Sequence, residues 1–128
     1  GILMIGAAKL GAGAMTGIDV DPVAVDITRQ NLEKNGIALD RVTLGAVTLD
    51  KTPEIQYDLI CANIIAQVIV SIMPDIAARL APDGSAILSG IIEERVPAIY
   101  AALDTQNLKC IQKISREEWV AMVVCRKK

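Results

Sequence analysis

The sequence predicts an α/β fold built on a mostly parallel sheet, and three observations carry that expectation. Short apolar runs alternate with amphipathic helical patterns along the whole chain, the order that produces βαβ units. Of the 128 residues, 52% are hydrophobic but only 2% aromatic, so the core must be aliphatic, as strands buried on both faces require. Finally, in Thr16-Gly17-Ile18-Asp19-Val20-Asp21-Pro22 an apolar stretch ends in an acid, and a capping residue plus proline then opens a helix. Parallel sheets present such an acid at the carboxyl end of a strand, where they bind nucleotide-like ligands. Asp19 is therefore a candidate for the floor of a nucleoside pocket, though a solvated acid in a strand-to-helix turn fits this segment equally well.

Each element follows in order. Residues 1–10 read as an apolar helix with Gly11 as its stop. Residues 14–20 form a first strand. Asp21 caps the next helix and Pro22 takes its first turn. That helix ends at Asn35-Gly36, with Val25, Ile27 and Leu32 toward one face. Residues 41–44 are a short second strand, and 51–56 a polar loop containing Pro53. A third strand spans 57–62 and ends at Asn63. Helix follows to about Leu80, with Pro74 expected to break it in two. Pro82-Asp83-Gly84 reads as a turn. Residues 85–89 form a fourth strand, and Gly90 opens a loop and a helix through Leu103. Residues 108–114 and 119–125 close the chain as an antiparallel hairpin across the polar link 115–118.

Composition excludes several function classes. The net charge is −2 and the basic residues are scattered, so no electrostatic footprint for nucleic acid is present. The terminal cluster Arg126, Lys127 and Lys128 reads as a solvated tail. There is no histidine, and the three cysteines, Cys61, Cys110 and Cys125, are widely spaced in apolar runs. A zinc site or a Cys–His nucleophile is therefore not expected; buried, reduced thiols of a cytoplasmic protein are. The longest apolar stretch, residues 64–73, is too short to span a bilayer.

The segments Gly1-Ile2-Leu3-Met4-Ile5-Gly6-Ala7-Ala8-Lys9-Leu10-Gly11-Ala12, Gly17-Ile18-Asp19-Val20-Asp21-Pro22 and Tyr57-Asp58-Leu59-Ile60-Cys61-Ala62-Asn63-Ile64-Ile65-Ala66 resemble class I S-adenosylmethionine-dependent methyltransferases. Together with Leu88-Ser89-Gly90-Ile91 and Glu118-Trp119-Val120, they resemble most the bacterial ribosomal protein L11 methyltransferase family. The resemblance spans essentially the whole chain. It implies a Rossmann-like sheet in which residues 1–128 form part of one methyltransferase domain, S-adenosylmethionine as cofactor, and amino groups of a ribosomal protein as methyl acceptors. Asp19 matches the acid that holds the cofactor ribose. Asn63 matches the asparagine beside the methyl donor and the incoming amine.

Three departures from the family pattern accompany this match. The glycine-rich loop and the strand before it are absent, with Gly1 the candidate for the loop's last glycine. The separate substrate-recognition domain is absent as well. Ala46 stands where many such enzymes place an acid or polar residue near the adenine, so that contact must come from backbone or another side chain. The chain is accordingly expected to be the carboxyl-terminal part of a longer enzyme. The family's first strand belongs between the strands ending at Asp19 and Asn63, and the fragment alone is expected to be inactive.

The chemistry suits these residues. Holding nucleophile, methyl carbon and leaving group in line supplies roughly 7–11 kcal/mol. The attacking amine must be neutral, and a free lysine has a pKa of about 10.4. The Asn63 carbonyl accepts an N–H bond without adding charge, whereas an aspartate would stabilise the ammonium. Taken alone, Asn63 reads better as a strand-end turn residue; beside Asp19 and the family pattern, the amine-orienting role reads better. Trp119 is expected to anchor the hairpin by packing rather than to line an amine channel. Glu93 and Glu94 are expected to be a helix-start pair favoured by the macrodipole. An NAD-dependent dehydrogenase would also use an acid such as Asp19, but needs a G-x-G-x-x-G loop that the chain does not display. A non-catalytic α/β interaction module is the other alternative. A release-factor glutamine methyltransferase expects Asn-Pro-Pro-Tyr where Asn63-Ile64-Ile65-Ala66 stands.

Overall fold

The computed structural model describes residues 2–128, so the expectation for Gly1 lies outside the described residues. The chain divides into two compact units, the first ending at Thr52 and the second running Pro53–Lys128.

In the first unit, helix α1 (Ile2–Lys9) leads into strand β1 (Met15–Ile18), helix α2 (Pro22–Lys34) and strand β2 (Val42–Gly45). β1 and β2 pair in parallel, with Met15 opposite Val42 and Ile18 opposite Gly45. The chain leaves the helices through Gly11 and Gly36, both in the left-handed region. Asp21 caps α2 as expected: its side chain accepts from the Val23 N–H, and Pro22 follows. α2 buries Val25 and Leu32, but Ile27 is half exposed, so the apolar face is narrower than its sequence pattern.

The second unit contains β3 (Tyr57–Asn63), α3 (Ala66–Arg79), β4 (Leu80–Ile92), α4 (Val96–Thr105), β5 (Leu108–Arg116) and β6 (Trp119–Arg126). Its sheet has the order β3-β4-β6-β5. β3 and β4 are parallel, while β4/β6 and β5/β6 are antiparallel. The α/β class, the parallel pairings and the terminal hairpin thus match expectation. The described strands form two sheets: β1 pairs only with β2, and β3 only with β4.

Burial alternates along the central strands. Ala86 and Leu88 of β4 and Val120, Met122 and Val124 of β6 are buried, together with Ile69, Met73 and Ile76 of α3 and Ile99 and Leu103 of α4. Each such aliphatic side chain contributes about 1.5–3 kcal/mol when fully buried.

Four local expectations are corrected. Pro74 lies inside one continuous helix α3. Proline removes one backbone bond there, but Pro74 is exposed, and the buried residues Ile69, Met73, Ile76 and Ala77 hold both halves to the same core. Pro82-Asp83-Gly84 is not a separate turn. It lies within β4, where the register jumps from Tyr57↔Leu80 to Leu59↔Ser85 and the extra residues bulge. Gly90 likewise sits inside β4, at a second irregularity between Leu88 and Ile91, rather than in a loop beyond the strand.

The fourth correction concerns the terminal cations, which are not a free tail. The Arg126 guanidinium donates to the carbonyls of Ala77 (2.6 Å) and Leu80, and Lys127 donates to Asp104 at 2.9 Å. The last carbonyls of a helix lack intrahelical partners, and a cation satisfies them well.

Candidate functional site

Asp19 is the first residue after β1, at its carboxyl end. Its N–H donates to the Gly45 carbonyl at 3.1 Å, which extends the β1–β2 ladder by one bond. Its carboxylate Oδ1 accepts the Asp21 N–H at 2.9 Å. One bond thus fixes the carboxylate's direction, while the residue is exposed and the other oxygen is not used by that turn. This arrangement fits a ribose: an oriented carboxylate with acceptor capacity to spare, at the ligand-binding end of a parallel pair. Ala46, the other position singled out, is exposed just after β2.

Asn63 ends β3 and is exposed. Its carboxamide makes no hydrogen bond with another described residue, so it does not serve the backbone as a turn asparagine would. Strand β4 runs alongside, with Asn63 opposite Ser89, and Gly90 follows with φ of 77°. A Cβ placed on Gly90 would lie 2.8 Å from Asn63 Oδ1. Any side chain at position 90 would therefore run into the Asn63 carboxamide.

Gly90 also lines a cavity of about 210 Å³, with Ile65, Ala66, Gln67, Ile92, Arg95 and Trp119 around it. Trp119, expected to anchor the hairpin by packing, is 49% exposed and lines this cavity. Trp119 is paired with Ile92 of β4 and Arg116 of β5, and its indole stays half exposed at that end of the sheet. Arg95, just before α4, lines the same cavity and has no hydrogen bond or ion pair with a described residue. No sequence motif marked Arg95 or Gln67; only the folded positions of α3 and α4 bring them to Gly90.

Glu93 and Glu94 lie directly before α4, where a helix-start pair is expected. Glu93 lies in a short 3₁₀ turn and pairs with Lys113 of β5 at 2.8 Å. That hydrogen bond and the carboxylate's charge raise the lysine above its ordinary value. The cysteines are free thiols but not buried: Cys61 is exposed and the other two are half-buried. Partial desolvation pushes the Cys61 thiol up, which keeps it protonated and unsuited to nucleophilic attack.

A larger cavity, about 290 Å³, lies in the first unit beside Met15 and Val42. Those residues begin their strands, so it opens at the end opposite Asp19 and does not belong to the site. Among the described residues no cluster of three His, Cys, Asp or Glu side chains can hold a metal ion. No described helix is long and apolar enough to cross a membrane.

A family model described as ribosomal protein L11 methyltransferase (PrmA) matches residues 1–127. A relative of that description from Desulforapulum autotrophicum is 49% identical over 123 residues, covering 96% of this chain and 41% of its own length. Another from Symbiobacterium thermophilum is 44% identical over 126 residues, covering 98% and 40%. A crystal structure of the ribosomal protein L11 methylase of Lactobacillus delbrueckii subsp. bulgaricus superposes with a TM-score of 0.93 at 30% identity, over 99% of this chain and 65% of that one. The chain thus spans about two fifths of the length of the curated relatives it matches. The match favours the methyltransferase over the dinucleotide-dependent dehydrogenase and over a non-catalytic module.

Proposed function

Because the chain belongs to the ribosomal protein L11 methyltransferase family, we propose that it serves the transfer of methyl groups from S-adenosylmethionine to amino groups of a ribosomal protein, large-subunit protein L11. The acceptors in this reading are a lysine side chain or an N-terminal amine, and residues 1–128 act as part of the methyltransferase domain in the cytoplasm. S-adenosylmethionine, when bound, supplies a methyl group made electrophilic by its sulfonium. Asp19 is the residue that would hold its ribose hydroxyls, and Asn63 would lie beside the methyl donor.

The observation that carries this reading is the free carboxamide of Asn63 at the end of β3. Its Oδ1 accepts one N–H of an incoming amine and orients the nitrogen lone pair without adding charge. The adjoining cavity suits a lysine. Ile65, Ile92 and the Trp119 indole offer apolar wall for the aliphatic stem. Arg95 brings a permanent positive charge that no described carboxylate neutralises. A like charge disfavours the ammonium form, so the cavity favours the neutral amine that attack requires.

The test is Asn63→Ala in the full-length protein. Single-turnover methylation of the ribosomal protein should slow roughly 100-fold, the scale of a misplaced reactant. Calorimetric affinity for S-adenosylmethionine should change far less. Wild-type turnover in the variant removes Asn63 from the chemistry, and absence of methylation by the unmodified protein overturns the activity itself.

A further inference from the structure

We propose that Gly90 is a positioning residue for Asn63: its missing side chain leaves the space in which the Asn63 carboxamide is held ready for the amine. The proposal rests on the role given to Asn63 above. Three observations carry it. A Cβ at position 90 would stand 2.8 Å from Asn63 Oδ1, 3.1 Å from the Ile64 carbonyl oxygen and 3.3 Å from the Ile64 nitrogen. The backbone there has φ of 77°, a region that glycine occupies freely and alanine does not. The Asn63 side chain is exposed and no hydrogen bond to a described residue ties it down.

These facts determine which group gives way. The Ile64 backbone is the continuation of β3 into α3, whose Ala66 and Ile69 are buried, so it cannot retreat far. The carboxamide of Asn63 can swing about its own side-chain bonds at little cost. Any side chain at 90 is therefore accommodated first by turning Asn63 away. The space that a Cβ would fill at position 90 is the space that Oδ1 needs to keep its direction. Gly90 touches no reacting atom in this account; it acts through Asn63.

The experiment is a double-mutant cycle in the full-length protein with Gly90→Ala, Asn63→Ala and their combination. Single-turnover methylation and calorimetric binding of S-adenosylmethionine are read for each. Gly90→Ala alone should slow turnover by roughly the 100-fold expected of Asn63→Ala, with cofactor affinity held within about twofold. In the Asn63→Ala background it should slow turnover no further, because coupled residues are not additive. Gly90→Asn, whose residue type tolerates positive φ, keeps the Cβ contact if the alanine variant fails to fold, and should slow turnover as well.

Equal slowing by Gly90→Ala in both backgrounds, or wild-type turnover in either glycine variant, overturns the proposal. A second readout needs no activity. The side-chain amide signals of Asn63 in a ¹⁵N spectrum, identified by their loss in Asn63→Ala, should shift in the glycine variants. If Asn63→Ala itself turns over normally, the catalytic reading of Asn63 fails. Gly90 is then judged on those signals, and their constancy overturns the positioning.

Discussion

Replacing Asp19 with alanine tests the cofactor end of the proposal. The carboxylate is held by one bond, Asp21 N–H to Oδ1 at 2.9 Å, and keeps acceptor capacity on both oxygens. Hydrogen bonds from ribose hydroxyls to an ionised carboxylate are worth roughly 1.5–3 kcal/mol. Their loss corresponds to about a 10- to 150-fold weaker dissociation constant. The same substitution frees the Asp21 N–H, but that group is exposed and water can satisfy it, so stability should change little. Asp21 remains to cap α2 through its bond from Val23. Asp19→Asn should fall between wild type and Asp19→Ala, since its carbonyl still accepts one bond without charge. Titration calorimetry of the full-length proteins with S-adenosylmethionine gives the affinities, and urea unfolding gives the stability control. An Asp19→Ala dissociation constant within twofold of wild type, with a stable protein, would refute the assignment.

Three further outcomes are expected. Arg95→Gln should move the acid limb of the kcat–pH profile upward by as much as about one unit, because removing a cation lets the bound amine keep its proton to higher pH; an unchanged limb removes Arg95 from this role. Arg126→Ala should lower the unfolding free energy in urea by about 1.5–3 kcal/mol, through lost charge-assisted bonds to the Ala77 and Leu80 carbonyls; an unchanged midpoint would mean that solvent replaces them. The Cys61 thiol, raised by partial desolvation, should be alkylated by iodoacetamide with a pH midpoint above that of a free cysteine peptide; a midpoint at or below the peptide's contradicts that desolvation.

Much of the fold was legible because local chemistry and tertiary position agree. Asp21-Pro22 and Asn35-Gly36 bracket α2 in sequence and in space, and Asn63 closes β3 where the apolar run stops. The misreadings have one common cause, contacts between residues far apart in the chain. Pro74 reads as a break until the continuous core beneath α3 is known. Gly90 reads as a loop because its bulge is defined by β6, and its contact by Asn63. Arg126 reads as a tail because its partners lie 46 and 49 residues upstream. Among the candidate residues, Asp19 and Asn63 stood out as polar residues ending apolar runs. Arg95 follows two other charged residues and Gln67 interrupts the apolar run of a helix, so neither marks the end of a strand, and only the packing of the second unit shows the cavity they line.

The order β3-β4-β6-β5 has a consequence for how the second unit is made. β6 is the last of the described strands in chain order, yet it lies between β4 and β5 and is the only partner of β5 among the described strands. During translation β5 therefore emerges with nothing to pair with, and β4 with one edge open. The unit cannot be assembled strand by strand as it leaves the ribosome. It must wait, and then form its central pairings together, a non-local step that is slow and exposes strand edges meanwhile. A protease cut within the eight residues Trp119–Arg126 breaks the middle of the sheet rather than its margin. Strand β6, late in the sequence, thus holds a central place in the sheet.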